Sequence, residues 1–333
     1  MAFQPSARAT INAGEWLPGL YPGMYHAYLA GGAPVGLPFL SGRNAFVAGS
    51  LTYMTVGETD IVNERGDYLG RVTVWRGAAA AHAGLELTDK LAAGLGLKLV
   101  RNSRYDWWSW ELSTDGTSRA AWVPDLNAGV ATAIDLAVLY RPASRFSMGA
   151  ALDNVGPHLV YGHSGEADDL PRMIRLGASW TPVESRDVRL RVMPELDKLL
   201  VGMFYDTTGT KTFGRMLNEE WKDVWKALGV EMTAFGLVSI RLGYFEDLSN
   251  ELGGLIYQRE GWYSLQHYGL WDVITRRDIG QFKRIGLCWG FGVGTNTLRF
   301  DLSSDAAIYD FPNENWKFQL TSNDLGRLFG RRS

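Results

Sequence analysis

Apolar and polar residues alternate at a period of two along most of the chain, and that feature limits what it can fold into. In PRMIRLGASWTP, residues 171–182, Ile174, Leu176, Ala178 and Trp180 share one parity, while Arg175, Gly177 and Ser179 share the other. Successive side chains of a strand point to opposite faces, so the run reads as a β-strand with one greasy and one polar face. Leu91, Ala93, Leu95, Leu97 and Leu99 alternate in the same way with Lys90, Ala92, Gly94, Gly96 and Lys98. So do Val188, Leu190 and Val192 with Arg189 and Arg191, and Val238, Ile240, Leu242 and Tyr244 with Ser239, Arg241 and Gly243. Near the end, Leu298, Phe300 and Leu302 alternate with Arg299, Asp301 and Ser303, and Trp316, Phe318 and Leu320 with Lys317, Gln319 and Thr321. A β-sandwich with a solvated outer face gives the same pattern, so parity alone leaves open which face is inside.

Connection lengths discriminate. The alternation places strands near 6–16, 24–35, 44–60, 70–87, 90–103, 125–141, 145–158, 171–183, 187–201, 226–235, 237–247, 283–294, 297–309 and 315–323. Every second connection is short (GLPFLSGR, LTDK, RPAS, VESR, FG, TN) and the others are longer, apart from the closing DFPNE. Tight turns at one end and long loops at the other, on an even number of roughly ten-residue strands, predict an outer-membrane β-barrel. The expected fold is therefore all-β, a transmembrane antiparallel barrel of about fourteen strands over 1–323, followed by a basic periplasmic tail at 324–333. The apolar parity then meets lipid and the polar parity lines a lumen.

Composition agrees. The chain holds 39 Gly and 13 Trp, a pairing suited to crowded, curved sheet walls and interfacial rings. No uninterrupted apolar run is long enough for a transmembrane helix. A net charge of −3 gives no reason to expect nucleic acid as a partner. Residues 1–16 carry neither a basic n-region nor an apolar h-region, so an exported barrel is expected to derive from a longer precursor with its signal upstream of Met1. The expected location is the outer membrane of a diderm bacterium.

On the lumen parity stand Arg175, Arg189, Arg191, Arg241, Arg299 and Lys317, with Asp135, Glu231 and Asp301 available to neutralise them. They read first as a salt-bridge lattice bracing the wall and second as a conducting or substrate path. Two loops have structure of their own. Trp107, Trp108, Trp110 and Trp122 cluster in 104–124, as an interfacial girdle or as a recognition surface. FGRMLNEEWKDVWKALG has helical spacing, with Trp221, Val224, Trp225 and Leu228 on one face, and predicts a packing or docking helix on the extracellular rim.

Chemistry is sparse. His158 and His163 share a loop with Glu166, Asp168 and Asp169, which reads as a solvated acidic loop before it reads as a metal site. Hydrolase, phosphate-loop and dinucleotide motifs are absent, and no Ser–His pair on neighbouring strands is singled out by the spacing. Cys288 reads as a small apolar side chain. The expectation is a non-enzymatic protein with no cofactor and no metal.

The stretch LDNVGPHLVYGHSGEADDLPRMIRLGASWTP resembles a diagnostic stretch of the PorV/PorQ family, in which an N-x-G-P phrase is followed by a polar loop, D-x-L-P and R-L-G. GSLTYMTVGETDIVNERGDYLG is similar to that family's Gly-Glu step and E-x-G-x-x-x-G loop, and AIDLAVLYRP, VEMTAFGLVSIRLGYFED and the closing strands follow in the same order. The resemblance implies a FadL-like barrel and a role in type IX secretion. It implies binding the C-terminal signal domains of secreted cargo and passing that cargo from a translocon to a sortase-like subunit. The surface it implies includes Gly156, Pro157, Asp169, Leu170 and Pro171. Family members begin with a signal peptide and a small-residue segment with an N-P-A phrase, whereas this chain begins at the first strand. The alternative is a FadL-like channel for hydrophobic small molecules, which needs an apolar site within the lumen.

Overall fold

A computed structural model describes residues 6–15, 23–36, 43–62, 65, 68–103, 110–112, 118–120, 128–161, 166–205, 209–247, 252–253, 255–257, 266–268, 282–285, 287–295, 297–306 and 314–328. Fourteen long strands make a closed antiparallel barrel. They are β1 Arg8–Glu15, β2 Met24–Gly36, β3 Asn44–Val62, β4 Tyr68–Glu86, β5 Leu91–Ser103, β6 Ala128–Ala143 and β7 Phe146–Val155. The second half is β8 Met173–Glu184, β9 Val188–Leu199, β10 Val224–Ala234, β11 Val238–Asp247, β12 Leu287–Gly294, β13 Leu298–Ala306 and β14 Glu314–Ser322.

Each strand pairs with its sequence neighbour, and β1 closes the ring on β14 in the register Ala9↔Ser322 to Gly14↔Lys317. Thr10 and Thr321 hydroxyls share a hydrogen bond of 3.0 Å across that seam. The residues flanking β1 and β14 are tied together beside it: Ser6 Oγ donates to the Asn323 carbonyl at 2.7 Å, and Leu325 N–H, opening the short helix Leu325–Leu328, donates to the Ala7 carbonyl at 3.0 Å. Closure leaves no row of unpaired backbone groups facing hydrocarbon, which the bilayer would penalise by several kcal/mol per group.

The short connections are held by local chemistry. Ser185 Oγ donates to the Val188 carbonyl and accepts the Val188 N–H, both at 3.0 Å, closing the β8–β9 turn. Phe235 and Gly236 both take positive φ (53° and 65°) in the β10–β11 turn. On the other end β3 and β4 run on as a long hairpin. Its register slips between Thr55 and Glu58, where Gly57 takes φ 89° and Thr55 Oγ1 accepts the Gly57 N–H at 3.2 Å. The Gly-Glu step read in the sequence is thus a β-bulge, which needs a residue free of the left-handed penalty.

The parity assignment holds. Leu97, Leu176 and Leu242 lie on the outer wall with relative exposures of 57%, 46% and 61%, values that would be anomalous for core leucines. Aromatics cluster at both ends of the apolar band. Tyr53 stacks on Trp75 at 6.1 Å, and Trp289 meets Trp316 edge-on at 5.3 Å, near the long loops. Tyr140 and Trp180 stand near the tight turns on the outward parity.

One expectation is corrected. The helix α1 covers only Phe213–Lys222, and β10 begins at Val224. Trp221, Val224, Trp225 and Leu228 therefore do not share a helical face. Val224 and Leu228 fall on the outward parity of β10, and Trp225, opposite Asp197, falls on the inward one. The reason is competition for backbone groups: from Lys198↔Val224 onward, pairing to β9 replaces the helix's own bonds.

An arginine at Leu242 should cost about 2–4 kcal/mol or block assembly, because it puts a charge into hydrocarbon near mid-strand. Ser179→Arg, on the lumen parity of β8, should be milder. Heat-modifiable gel migration and urea titration in bilayers measure both, and greater damage from Ser179→Arg would reverse the inside-out assignment.

Candidate functional site

The lumen has two unlike sides. On β9–β13, Arg191 Nη1 lies 3.7 Å from Glu231, Arg241 donates at 2.7 Å to both Glu231 and Asp301, and Arg299 Nε donates to Asp301 at 2.8 Å. Glu231 and Asp301 are nearly inaccessible, at 7% and 7%, so each carboxylate depends on its arginines for solvation. The intervening β12 leaves room for them. A Cβ at Gly292 would stand 2.2 Å from Asp301 Oδ1 and 2.6 Å from Arg299 Nη2. Arg191, Arg241 and Arg299 share these two carboxylates, and Arg175 pairs separately with Asp153 at 3.2 Å. Arg189 and Lys317 also lie on the inward parity, opposite Thr233 and Ser303.

On β2–β6 the inward positions are mostly small and apolar. Ala30, Ala48, Ala78, Ala80, Ala92, Ala131, Ala133 and Ala137 line this side, with Met24, Phe46 and Val74 buried among them. Polar side chains interrupt it at His26, Ser50, Thr52, Arg76 and His82, and a charged pair lies beside them. Lys98 Nζ bonds Asp135 at 2.8 Å and Asn154 Oδ1 at 2.9 Å, while the Asn154 N–H donates to Asp135 at 2.9 Å. Asn154 takes φ 60°, so its backbone turns that N–H inward.

Above this pair the hairpin between β7 and β8 folds over the wall. Leu159, Tyr161 and Leu170 pack on Ala131 and Ala133 as a buried cluster. The Tyr161 hydroxyl donates to Asp168 at 2.9 Å and accepts from Asn102 Nδ2 at 2.8 Å. A Cβ at Gly156 would meet the Thr132 carbonyl oxygen at 2.2 Å and Leu170 Cδ1 at 3.2 Å, so only glycine lets the hairpin sit this close. Asn154 Nδ2 donates to the Pro171 carbonyl at 2.9 Å and ties the two ends of the motif.

The residues carried by the family resemblance thus come together, but not as one surface. Gly156 and Leu170 are packing positions, Leu170 being buried at 4%, while Pro157, Asp169 and Pro171 are exposed. Asp169 accepts from Arg172 at 2.9 Å and lies 3.0 Å from His158 Nδ1, while Asp168 accepts from Tyr161. Among the described residues no cluster has the make-up of a metal site. Trp110 belongs to a two-stranded ribbon, Trp110–Leu112 with Ser118–Ala120. Trp107, Trp108, Trp122 and His163 lie outside the described residues. Trp221 sits on α1 and Trp225 at the lumen mouth, so they are not neighbours on one element.

Two groupings escaped the sequence reading. Ser50 Oγ and His82 Nε2 are 3.2 Å apart on neighbouring strands, yet the nearest carboxylate in the row, Asp135, is held by Lys98 and Asn154. They form a lumenal hydrogen bond. Lys198 and Lys226 lie on the outward, lipid-facing parity, opposite Ile174 and Leu196. Charges there break the alternation: Lys198 is met by Glu220 of α1, and Lys226 by Glu246 of β11 at 3.5 Å on the same parity.

No family model and no curated protein matches the sequence. Solved structures do. The toluene transporter TodX of Pseudomonas putida aligns over 96% of this chain and 89% of its own, with TM-score 0.50 and 10% identity. The toluene transporter TbuX of Ralstonia pickettii aligns over 96% and 89%, with TM-score 0.45 and 12% identity. The fold is that of a FadL-like outer-membrane β-barrel.

Removing Arg241 should take from Glu231 its 2.7 Å hydrogen bond, leaving Arg191 at 3.7 Å, while Asp301 keeps Arg299. Arg241→Met is expected to destabilise the barrel by about 3 kcal/mol, at the low end for a broken buried pair because the lumen admits water. Neutralising Glu231 as well (Arg241→Met with Glu231→Gln) should recover part of that loss, because Asp301 and Arg299 stay paired. Urea midpoints of the folded band measure both, and a double variant no more stable than the single one would contradict the lattice account.

Proposed function

We propose that the chain is an outer-membrane channel for hydrophobic or amphipathic small molecules. The two-sided lumen carries this reading. A wholly charged lumen suits ions, whereas a mostly small and apolar wall facing a wall of ion pairs gives an amphiphile a surface for each of its halves. Contact with the alanine side is favourable by about 25 cal/mol per Å² of apolar area removed from water, without tight enclosure. The charged side stays fixed because its carboxylates are bonded to arginines, so polar groups pass along it by exchanging hydrogen bonds with bound water. The comparison with barrels named as toluene transporters supports a substrate of the monoaromatic or similarly apolar class.

A second reading is favoured by the interlocked motif from Asn154 to Pro171. On that reading the barrel is a non-enzymatic type IX secretion subunit of the PorV kind. Pro157, Asp169 and Pro171 with the tryptophans of 104–124 would face cargo signal domains, a translocon and a sortase-like subunit. The two readings separate on where substitutions hurt. The channel depends on the β2–β6 lumen wall, and the secretion subunit depends on the loops.

In cells whose lipopolysaccharide leaflet is the permeability barrier, expression of the chain should speed uptake of a monoaromatic probe. Ala78→Arg, on the apolar lumen wall, should slow it about tenfold, a barrier of about 1.4 kcal/mol. Gln319→Lys, on the charged side, should leave it close to unchanged. Equal uptake with and without the barrel, together with loss of cargo capture in Trp108→Ala/Trp110→Ala, would favour the secretion reading instead.

A further inference from the structure

The helix α1 lies against the outside of the barrel, and its side chains divide into three strips. Met216, Glu219, Glu220 and the C-cap Asp223 are partly covered. Lys198 Nζ bonds Glu220 at 2.6 Å and Asp223 at 3.4 Å, from the lipid-facing parity of β9. Glu220 also accepts the Phe204 N–H, and Glu219 accepts from Lys211 at 2.7 Å. A second strip, Arg215, Asn218 and Lys222, is exposed and polar. The third, Phe213, Leu217 and Trp221, is apolar and follows the helical repeat at i, i+4 and i+8. Their exposures are 67%, 52% and 57%, although the helix has a wall beside it on which to bury them.

The wall contact is made by charges and the apolar strip is turned away from it. That is the reverse of a helix packed for a soluble fold, and it fits a helix lying in a membrane interface. The strip also joins the lipid-facing band of the barrel. Lys226 Nζ sits 5.2 Å from the Trp221 ring, and Lys226 stands in register with the outward Leu196. Stacked on Phe213 at 6.2 Å, Phe204 extends the same surface. Arg215 and Lys222 on the opposite strip are placed for anionic headgroups.

We propose that α1 is a membrane-interface helix, with Phe213, Leu217 and Trp221 immersed in the outer leaflet around the barrel and Lys198–Glu220 clamping it to the wall. It fixes the depth of the barrel rim in the bilayer and covers the lipid-parity Lys198, while Lys226, paired with Glu246 at 3.5 Å, lies against the Trp221 ring. This inference rests on the barrel spanning a bilayer and not on what passes through it.

The test compares neighbouring positions on the two exposed strips. Leu217→Cys and Asn218→Cys, each in a Cys288→Ser background, are labelled with bimane. They are then reconstituted in phosphatidylcholine vesicles containing phosphatidylglycerol. Brominated acyl chains should quench the label at 217 at least about twofold more than at 218, and iodide on both sides of the membrane should show the opposite order. Phe213→Cys and Lys222→Cys repeat the comparison one turn away, and heat-modifiable migration confirms assembly of all four. Equal iodide quenching at 217 and 218, with no effect of brominated lipid at either, would overturn the proposal and leave the strip free for a protein partner.

Discussion

Hydrocarbon offers a backbone amide nothing to bond to, and every other property of this molecule follows from that. A sheet in a bilayer must close, so β1 must find β14, and the Ala9–Gly14 edge must find Lys317–Ser322. Antiparallel closure with each strand beside its sequence neighbour requires an even number of strands. It also sends alternate connections to opposite ends, so the tight turns share one end and, apart from the closing DFPNE, the long loops share the other. The outward parity must then be apolar, which is why exposed leucines on the outer wall mark correct folding and not a defect.

Turning the apolar residues outward leaves the interior to satisfy itself. The barrel does so asymmetrically. Arginines of β9, β11 and β13 converge on two carboxylates, with glycines of β12 making the room, so that charge is stored as a fixed lattice on one side. The other side is thinned to alanine, and the β7–β8 hairpin lays Leu159, Tyr161 and Leu170 over it. This division gives the lumen its two chemistries.

Much of this was legible in the sequence because a strand's period is short and strict. Ile174 and Arg175, or Leu242 and Arg241, announce opposite faces without any tertiary information, and the inward placement of Arg175, Arg189, Arg191, Arg241, Arg299 and Lys317 follows directly. Which charges pair was not legible, since Arg241 reaches Glu231 and Asp301 across strands brought together only by closure. The helix was misjudged for a related reason. Residues 221, 224, 225 and 228 satisfy a 3.6-residue period and, in part, a period of two, and only the pairing of Val224 to Lys198 breaks the tie. The split of the lumen into two sides was hidden because alanine and glycine look alike on either face of a strand. The packing role of Gly156, with the Thr132 carbonyl where its side chain would stand, could not be told from surface use by sequence alone.

The inversion itself can be measured along β5, where both parities lie in one short strand. Photolysis of a lipid-resident diazirine in bilayers containing the barrel, followed by peptide mapping, reports which side chains touch acyl chains. Labelling should fall on Leu95, Leu97 and Leu99 and skip Gly94, Gly96 and Lys98, giving a period of two along the strand. Uniform labelling, or labelling centred on Lys98, would contradict a barrel that keeps its apolar face in lipid and its charges within.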